Sequence, residues 1–476
     1  MKKGYITVFL SLSLAIILSL VFTVIEGARI SAIRMKFECV ADIGMNSVLA
    51  EYHREMLKQY DLLFVDTSYG GGTASIGNTE AHLKAYMQKN FQMQESGFWT
   101  GGDFLNLAAD CVEITQYSIA SDEGGAVLKR QIADYMADYP AGYLWEKITG
   151  NIAQIEGSQM ESRDIAGERE NYQARIDEIE LPKEEVEEGI FEEIPLDNPA
   201  DIANGTRSIG VLNLTADVIG SISAVKVPLS QYISRRVPMR GSGVCEEAAA
   251  LTGKPDEVLF LAYLFEKCGY YGEEKDGSLL QYQIEYMIAG KDTDWQNLEH
   301  VAKRLLRWRE VANVLYILSD NVKIAEAEAM ALALTAVMMC PELAEPVKYT
   351  ILYAWAYVES LQDVKILLHG GRVPVLKTSE DWKTGINSIK NVKEGLSGTN
   401  EGRGLNYKEY LEVMLFLTDG RDRTFRAMDI MEMDIRQTPG NAAFRLDGCF
   451  DTYQAKLSVS SGFGYHYEME RLYGFY

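Results

Sequence analysis

The strongest pattern in the chain stands at its start. After MKKG, the stretch from Tyr5 to Ile25 carries no charge, and a helix of that length spans roughly 30 Å, the thickness of a bilayer's hydrocarbon core. The pattern predicts one transmembrane helix. Beyond it Ile30, Ile33, Phe37, Val40, Gly44, Val48, Tyr52, Met56 and Tyr60 recur at three- and four-residue steps, so one apolar stripe predicts a stalk helix that continues through LAEYHREMLKQYD. LLFVD then reads as a short strand, SYGGGTASIGN as a glycine-rich loop and NTEAHLKAYMQKNF as a helix with a polar cap. Asp103 to Tyr139 mixes strand-like and helical pieces.

From Glu246 to Ser360 the helical period dominates. Leu298, Val301, Leu305, Trp308, Ala312, Leu315 and Leu318 fall on one face, and Thr293 and Gln296 have the spacing of a capping box before it. The run AMALALTAVMMC is apolar all round, yet about a dozen residues before Pro341 are too few to cross a bilayer, so it predicts a buried core helix. Between the acidic stretch and this region, the segment around Val211 predicts helices broken at Pro228 and Pro238. At the end Tyr453, Ala455, Leu457 and Val459 alternate, GFG turns the chain, and YHYEM alternates again, which predicts a terminal hairpin. The expected fold is α+β and predominantly α-helical. Its expected segments are an anchor over 1–28, a stalk and mixed region over 29–155, an acidic helix and linker over 156–205, a helical main domain over 206–440 and a hairpin over 441–476.

Composition adds a folded body to the anchor. The chain has 476 residues, of which 47% are hydrophobic, enough to bury substantial cores. The net charge of -23 argues against binding nucleic-acid backbones or anionic lipid surfaces by general electrostatics. Much of it lies between Glu156 and Asp201, read as a solvated helix plus linker, because the stretch lacks the alternating oxygen ligands and turn glycine of a calcium loop. The six cysteines, Cys39, Cys111, Cys245, Cys268, Cys340 and Cys449, form no C-x-x-C pair, which removes zinc-ribbon and thioredoxin-like readings; an even count outside the membrane permits disulfides, and buried free thiols are the blander expectation.

The flanks of the apolar run set its fate. It exits through Val24, Ile25, Glu26 and Gly27 instead of an A-x-A-like cleavage site, so it reads as an uncleaved anchor. Lys2 and Lys3 on one side nearly balance Arg29, Arg34 and Lys36 on the other. The size of the body decides the orientation: N-terminus cytoplasmic, main body extracytoplasmic, in a single-pass cell-membrane protein. Glu26 and Arg29 are three apart where the helix leaves the hydrocarbon, a candidate interface pair that fixes anchor depth or docks a partner helix.

Catalytic templates fail along the rest of the chain. FVDTSYG at Asp66 and LFLTDG at Asp419 resemble the two metal motifs of a von Willebrand A domain, but Gly70 stands where its second serine belongs. LFLTDG also follows YKEYLEVM, with helical spacing, so the turn reads as a helix end capped by Gly420. There is no H-E-x-x-H, no G-x-S-x-G and no P-loop. No metal or cofactor is expected. Glu285, Arg309, Glu359, Asp363 and Lys377 lie inside strongly apolar blocks and are candidates for a buried polar network.

Those blocks carry a resemblance. IEYMIAGKDTDWQNLEHVAKRLLRWREVANVLYIL, AWAYVESLQDVKILLHGGRVPVLKTSEDW, GLNYKEYLEVMLFL and RAMDIMEMDIR, with GYITVFLSLSLAI and EGARI at the start, are together similar to the family catalogued as domain of unknown function 5702. The resemblance implies a single-pass envelope protein of Gram-positive bacteria with an N-terminal segment like those of TadE and TadG pilus-assembly proteins. It transfers no catalytic residue. Phe9 stands where a pilin would carry Glu, five residues after Gly4, which argues against prepilin processing. The expectation is therefore a non-enzymatic structural or accessory protein, with the lipid bilayer and other membrane or pilus-assembly proteins as partners. A membrane-tethered envelope enzyme or metal-dependent adhesin is the alternative.

Overall fold

The computed structural model describes residues 3–92, 105–158, 160–187, 190–217, 219–243, 254–393, 396 and 402–475. The first elements are α1 (Lys3–Leu49), α2 (Arg54–Tyr60), β1 (Val65–Asp66), α3 (Ile76–Phe91), β2 (Leu107–Ile119), α4 (Ala126–Tyr135), α5 (Ala141–Gly157) and α6 (Ile165–Asp177). Then come β3 (Lys183–Glu187), β4 (Ile190–Glu193), α7 (Pro199–Gly205), α8 (Val211–Thr215), α9 (Lys254–Lys267) and α10 (Gln283–Ala289). The last are α11 (Asp294–Ile317), α12 (Asn321–Val337), α13 (Ala344–Leu368), α14 (Tyr407–Phe416), α15 (Gly420–Arg436), β5 (Cys449–Ser461) and β6 (His466–Gly474). The fold is α+β and mainly helical, with a long apolar N-terminal helix and a small antiparallel sheet.

The chain folds as two discontinuous units. Unit 1 comprises residues 1–137, 236–252 and 431–476; unit 2 comprises 138–235 and 253–430.

In unit 1 the sheet is organised by β5. All its pairings are antiparallel: β2 lies along one edge, and β1 and then β6 share the other. The alternation predicted for Tyr453, Ala455, Leu457 and Val459 buries all four. They meet Ile33, Phe37, Ala41, Met45 and Val48 of α1 and Leu83 and Met87 of α3 in one core. Gly44 lets α3 approach, because a Cβ there would come within 3.1 Å of Leu83. Charged groups close the rest of this unit: the Arg236 guanidinium bridges Glu432 and Asp447 at 2.5 and 2.6 Å, and the Tyr60 hydroxyl donates to Asp434 at 2.7 Å.

The stalk is shorter than its stripe predicts. α1 ends at Leu49, and His53 takes an extended conformation and accepts from the Met56 amide through Nδ1, starting α2 as a separate helix. Period alone cannot register such a break, because the apolar spacing happens to continue across it.

In unit 2, α13 is the central element, buried on nearly every face and packed against α6, α7, α8, α11 and α12. Thr293 caps α11 by accepting from the Gln296 amide at 3.2 Å. The predicted face of α11 is buried from Leu298 to Ala312, but Leu315 turns outward, and Val311, Val314 and Ile317 carry the core contact instead. The helix period of 3.6 carries a strict three- and four-residue stripe off the packed face over six turns.

Four other expectations are corrected. α12, read as a buried core helix, buries only Ala327, Ala331 and Thr335, while Leu332, Val337 and Met339 are exposed; the wholly buried helix is α13. The acidic stretch is not only a solvated helix and linker: α6 packs on α13, where Tyr353 donates to Glu168 at 2.6 Å, and β3 pairs with β4. Around Pro228 the chain forms a short 3-10 turn in place of a broken helix. Gly420 is not the cap of α14; it opens α15, whose Arg421 and Asp422 amides donate to Asp419.

Candidate functional site

The residues singled out from sequence fall in two places. The first is the exit of α1 from its apolar run. Residues such as Tyr5, Phe9, Ile16 and Val24 of that run are exposed and touch no core, whereas Ile33 and Phe37 are fully buried. Between them the Arg29 guanidinium pairs with Glu26 at 2.8 Å, both partly exposed. Each also meets the turn between β5 and β6: the Tyr465 hydroxyl donates to Glu26, and the Arg29 guanidinium lies 4.0 Å from the Phe463 ring centre. Spacing along the helix revealed the pair; nothing local in the sequence revealed that a turn more than four hundred residues later would cover it.

The second place is the interior of unit 2. Arg309 of α11 donates through Nε to Asp363 of α13 at 3.0 Å, and the Lys377 ammonium sits 2.6 Å from the other Asp363 oxygen and also pairs with Glu359. Glu359 and Asp363 are four apart on α13, so one helix face presents both carboxylates to Lys377, and Asp363 to Arg309 as well. The remaining valences are largely met within the protein. Glu359 accepts from the Lys383 amide and from the Thr384 amide and hydroxyl. Asn313 donates to Asp363 at 3.0 Å, and Arg309 also reaches the Val375 carbonyl and the Tyr410 hydroxyl.

Two cations and two anions make a neutral set with virtually no exposure of the side chains. Burial works against the Asp363 carboxylate, but Lys377 and Arg309 outweigh it and hold its pKa below the usual range. Burial likewise opposes the Arg309 charge, and Tyr410 and Asp363 raise its pKa nonetheless. The arrangement fixes α11, α13 and the loop after α13 in register. An open groove of about 400 Å³ in the same unit, lined by Arg163, Glu168, Tyr172, Tyr349 and Tyr353 among others, contains none of the four.

Glu285 lies apart from this set. On α10 it accepts from the Tyr271 amide at 3.0 Å and from the Tyr407 hydroxyl at 2.7 Å, both through Oε1. Its other oxygen has no hydrogen-bond partner among the described residues. Burial pushes its pKa up to about 7 against the pull of hydrogen bonding from Tyr271, Tyr407 and its own amide.

Asp66 and Asp419 have local roles. The Asp66 carboxylate accepts from the Ser68 amide and hydroxyl at 2.8 and 2.7 Å, and Asp419 caps α15 as described above. Asp66 belongs to unit 1 and Asp419 to unit 2. The cysteines Cys39, Cys111, Cys268, Cys340 and Cys449 are free thiols, but only Cys268 and Cys449 are buried as expected, while Cys39 and Cys111 are exposed and Cys340 is half-buried; Cys245 lies outside the described residues.

Residues 190–461 match a family of unknown function, DUF5702. This chain belongs to that family. The DUF5702 region begins at β4 and ends with β5, so it contains the buried charge set of unit 2 and Glu285. The apolar run of α1, and β6 with its turn, lie outside it. No curated protein and no solved structure matches the chain.

Proposed function

We propose that this DUF5702 protein is a single-pass membrane protein whose body stands outside the cytoplasmic face and acts by protein contact instead of catalysis. Its role is that of an accessory or structural component of an envelope assembly of the tight-adherence pilus or secretion type. One observation carries the reading. α1 is an unbroken helix whose first half is apolar and exposed and whose second half is core to unit 1, so anchor and body are one mechanical piece. The four buried charges of Arg309, Glu359, Asp363 and Lys377 support the same reading: they pair with one another and with nearby backbone and hydroxyl groups, and they hold helices in place.

The test is cross-linking of intact cells, followed by purification of the full chain in detergent. A small, reproducible set of membrane proteins should be recovered, and should be lost when residues 5–25 are replaced by a cleavable secretory signal. Recovery of no partner, or turnover of an envelope polymer by the purified protein, would overturn the proposal.

A further inference from the structure

β6 runs alongside α1. Tyr465 reaches Glu26 at one end, and at the other the Tyr473 hydroxyl donates to Asp42 at 2.7 Å. The two spans agree: sixteen helical residues rise roughly 24 Å, and eight strand residues rise roughly 26 Å. Strand and helix therefore advance in the same direction over the same length. The β5–β6 turn must then point toward the apolar run, and the open end of the hairpin toward the body.

Side-chain polarity follows that axis. Along the middle of β6 the helix offers Arg34 and Glu38, facing Glu468, Glu470 and Arg471 across a shallow groove. At the turn the sequence changes to Gly462, Phe463, Gly464 and Tyr465. Phe463 is 48% exposed, and Gly464 has the left-handed φ of +81° that a tight turn requires. Phe463 sits level with Arg29, four residues past Ile25, or roughly 6 Å beyond the edge of the hydrocarbon along the helix. The headgroup layer extends roughly that far on each side of a bilayer, and aromatic side chains concentrate there.

We propose that the β5–β6 turn is a second membrane contact of this chain, with Phe463 and Tyr465 seated in the phospholipid headgroup layer beside the helix. The proposal rests on the reading of α1 as a membrane anchor. The occupant is a lipid interface, because the turn is continuous with the apolar run and presents a ring between two glycines. Among the described residues its charged neighbours are Glu26 and Arg29, which neutralise each other, and His466 beside Asp110 at 3.6 Å. Contact is accordingly through the aromatic rings, and indifferent to the proportion of anionic lipid. Glu26 and Arg29 have a definite part in it: they hold the turn at the depth where the helix emerges.

The experiment uses the full chain with Cys39, Cys111, Cys245 and Cys340 changed to Ser, reconstituted in phosphatidylcholine vesicles. A single environment-sensitive fluorophore is placed by Phe463→Cys, by Val24→Cys, or at Cys39 restored, and quenched by nitroxide lipids labelled at the headgroup or deep in the chain. The expected result is strong loss of emission at 463 with the headgroup label, loss at 24 with the chain label, and none at 39. Adding phosphatidylglycerol should leave the three values unchanged. If position 24 is quenched and 463 is not, the turn stays clear of lipid and the inference fails while the anchor stands. If position 24 is not quenched, the anchor reading fails and takes this proposal with it.

Discussion

Replacing Glu285 by Gln should make unit 2 more stable at neutral and alkaline pH and leave it unchanged in acid. The Glu285 carboxyl is completely buried, with two donors on Oε1 and nothing on Oε2 among the described residues. Burial raises its pKa from the usual 4.5 to about 7. Between those values the folded chain holds a proton that the unfolded chain has released, so stability falls as pH rises through that window. The contribution is fully present below about pH 4.5 and fully lost above about pH 7. A shift of this size corresponds to about 3 kcal/mol, and full burial leaves no solvent screening to discount. Glutamine keeps the Oε1 acceptor for Tyr271 and Tyr407 and has no charge to strand. Five of the six tryptophans lie in unit 2, so tryptophan emission during guanidinium unfolding of the detergent-solubilised chain reports this unit. The difference between variant and wild type should grow from near zero at about pH 4 toward about 3 kcal/mol at about pH 8. A variant that is less stable than wild type at about pH 8 would refute the reasoning, since it would mean that the ionised carboxylate is well paired.

Two further outcomes follow from the packing of unit 2, each read by the same unfolding assay. Lys377→Met leaves Glu359 and Asp363 as neighbouring buried carboxylates without their ammonium and should cost about 3 to 5 kcal/mol; a loss below about 1 kcal/mol would show that the set is not dry. Gly404 has φ +114°, and a Cβ there would collide with the backbone of Val373 and Pro374. Gly404→Ala should therefore lower stability by more than about 1 kcal/mol, and an unchanged midpoint would contradict the close approach of these two segments.

Much of this architecture is written locally. The apolar run of α1, the packed face of α11 from Leu298 to Ala312 and the alternation of β5 are periodic, and a period needs no knowledge of the partner. Charges inside apolar blocks also stand out, which is why Arg309, Glu359, Asp363 and Lys377 were visible as a group. Glu285 has the same local signature but a different neighbourhood, because spacing within a helix says nothing about which loop will close over it. The same limit hid the sheet: β1 meets β5 through Val65 and Phe450, and no local feature of LLFVD encodes a partner nearly four hundred residues away. α12 misled for a physical reason. A helix rich in Ala and Leu is apolar all round whether or not anything covers its second face, and only packing tells the two cases apart.

The central claim is that α1 remains in the mature protein and places the body outside the cytoplasmic membrane. Cys39 and Cys111 are exposed free thiols on the body, which makes one measurement decisive: intact-mass spectrometry of the protein after a membrane-impermeant maleimide is applied to whole protoplasts. The account predicts an adduct on a chain that still carries the Tyr5 to Ile25 run. A chain that gains the adduct only after lysis, or one labelled but shortened at its N-terminus past that run, would contradict it.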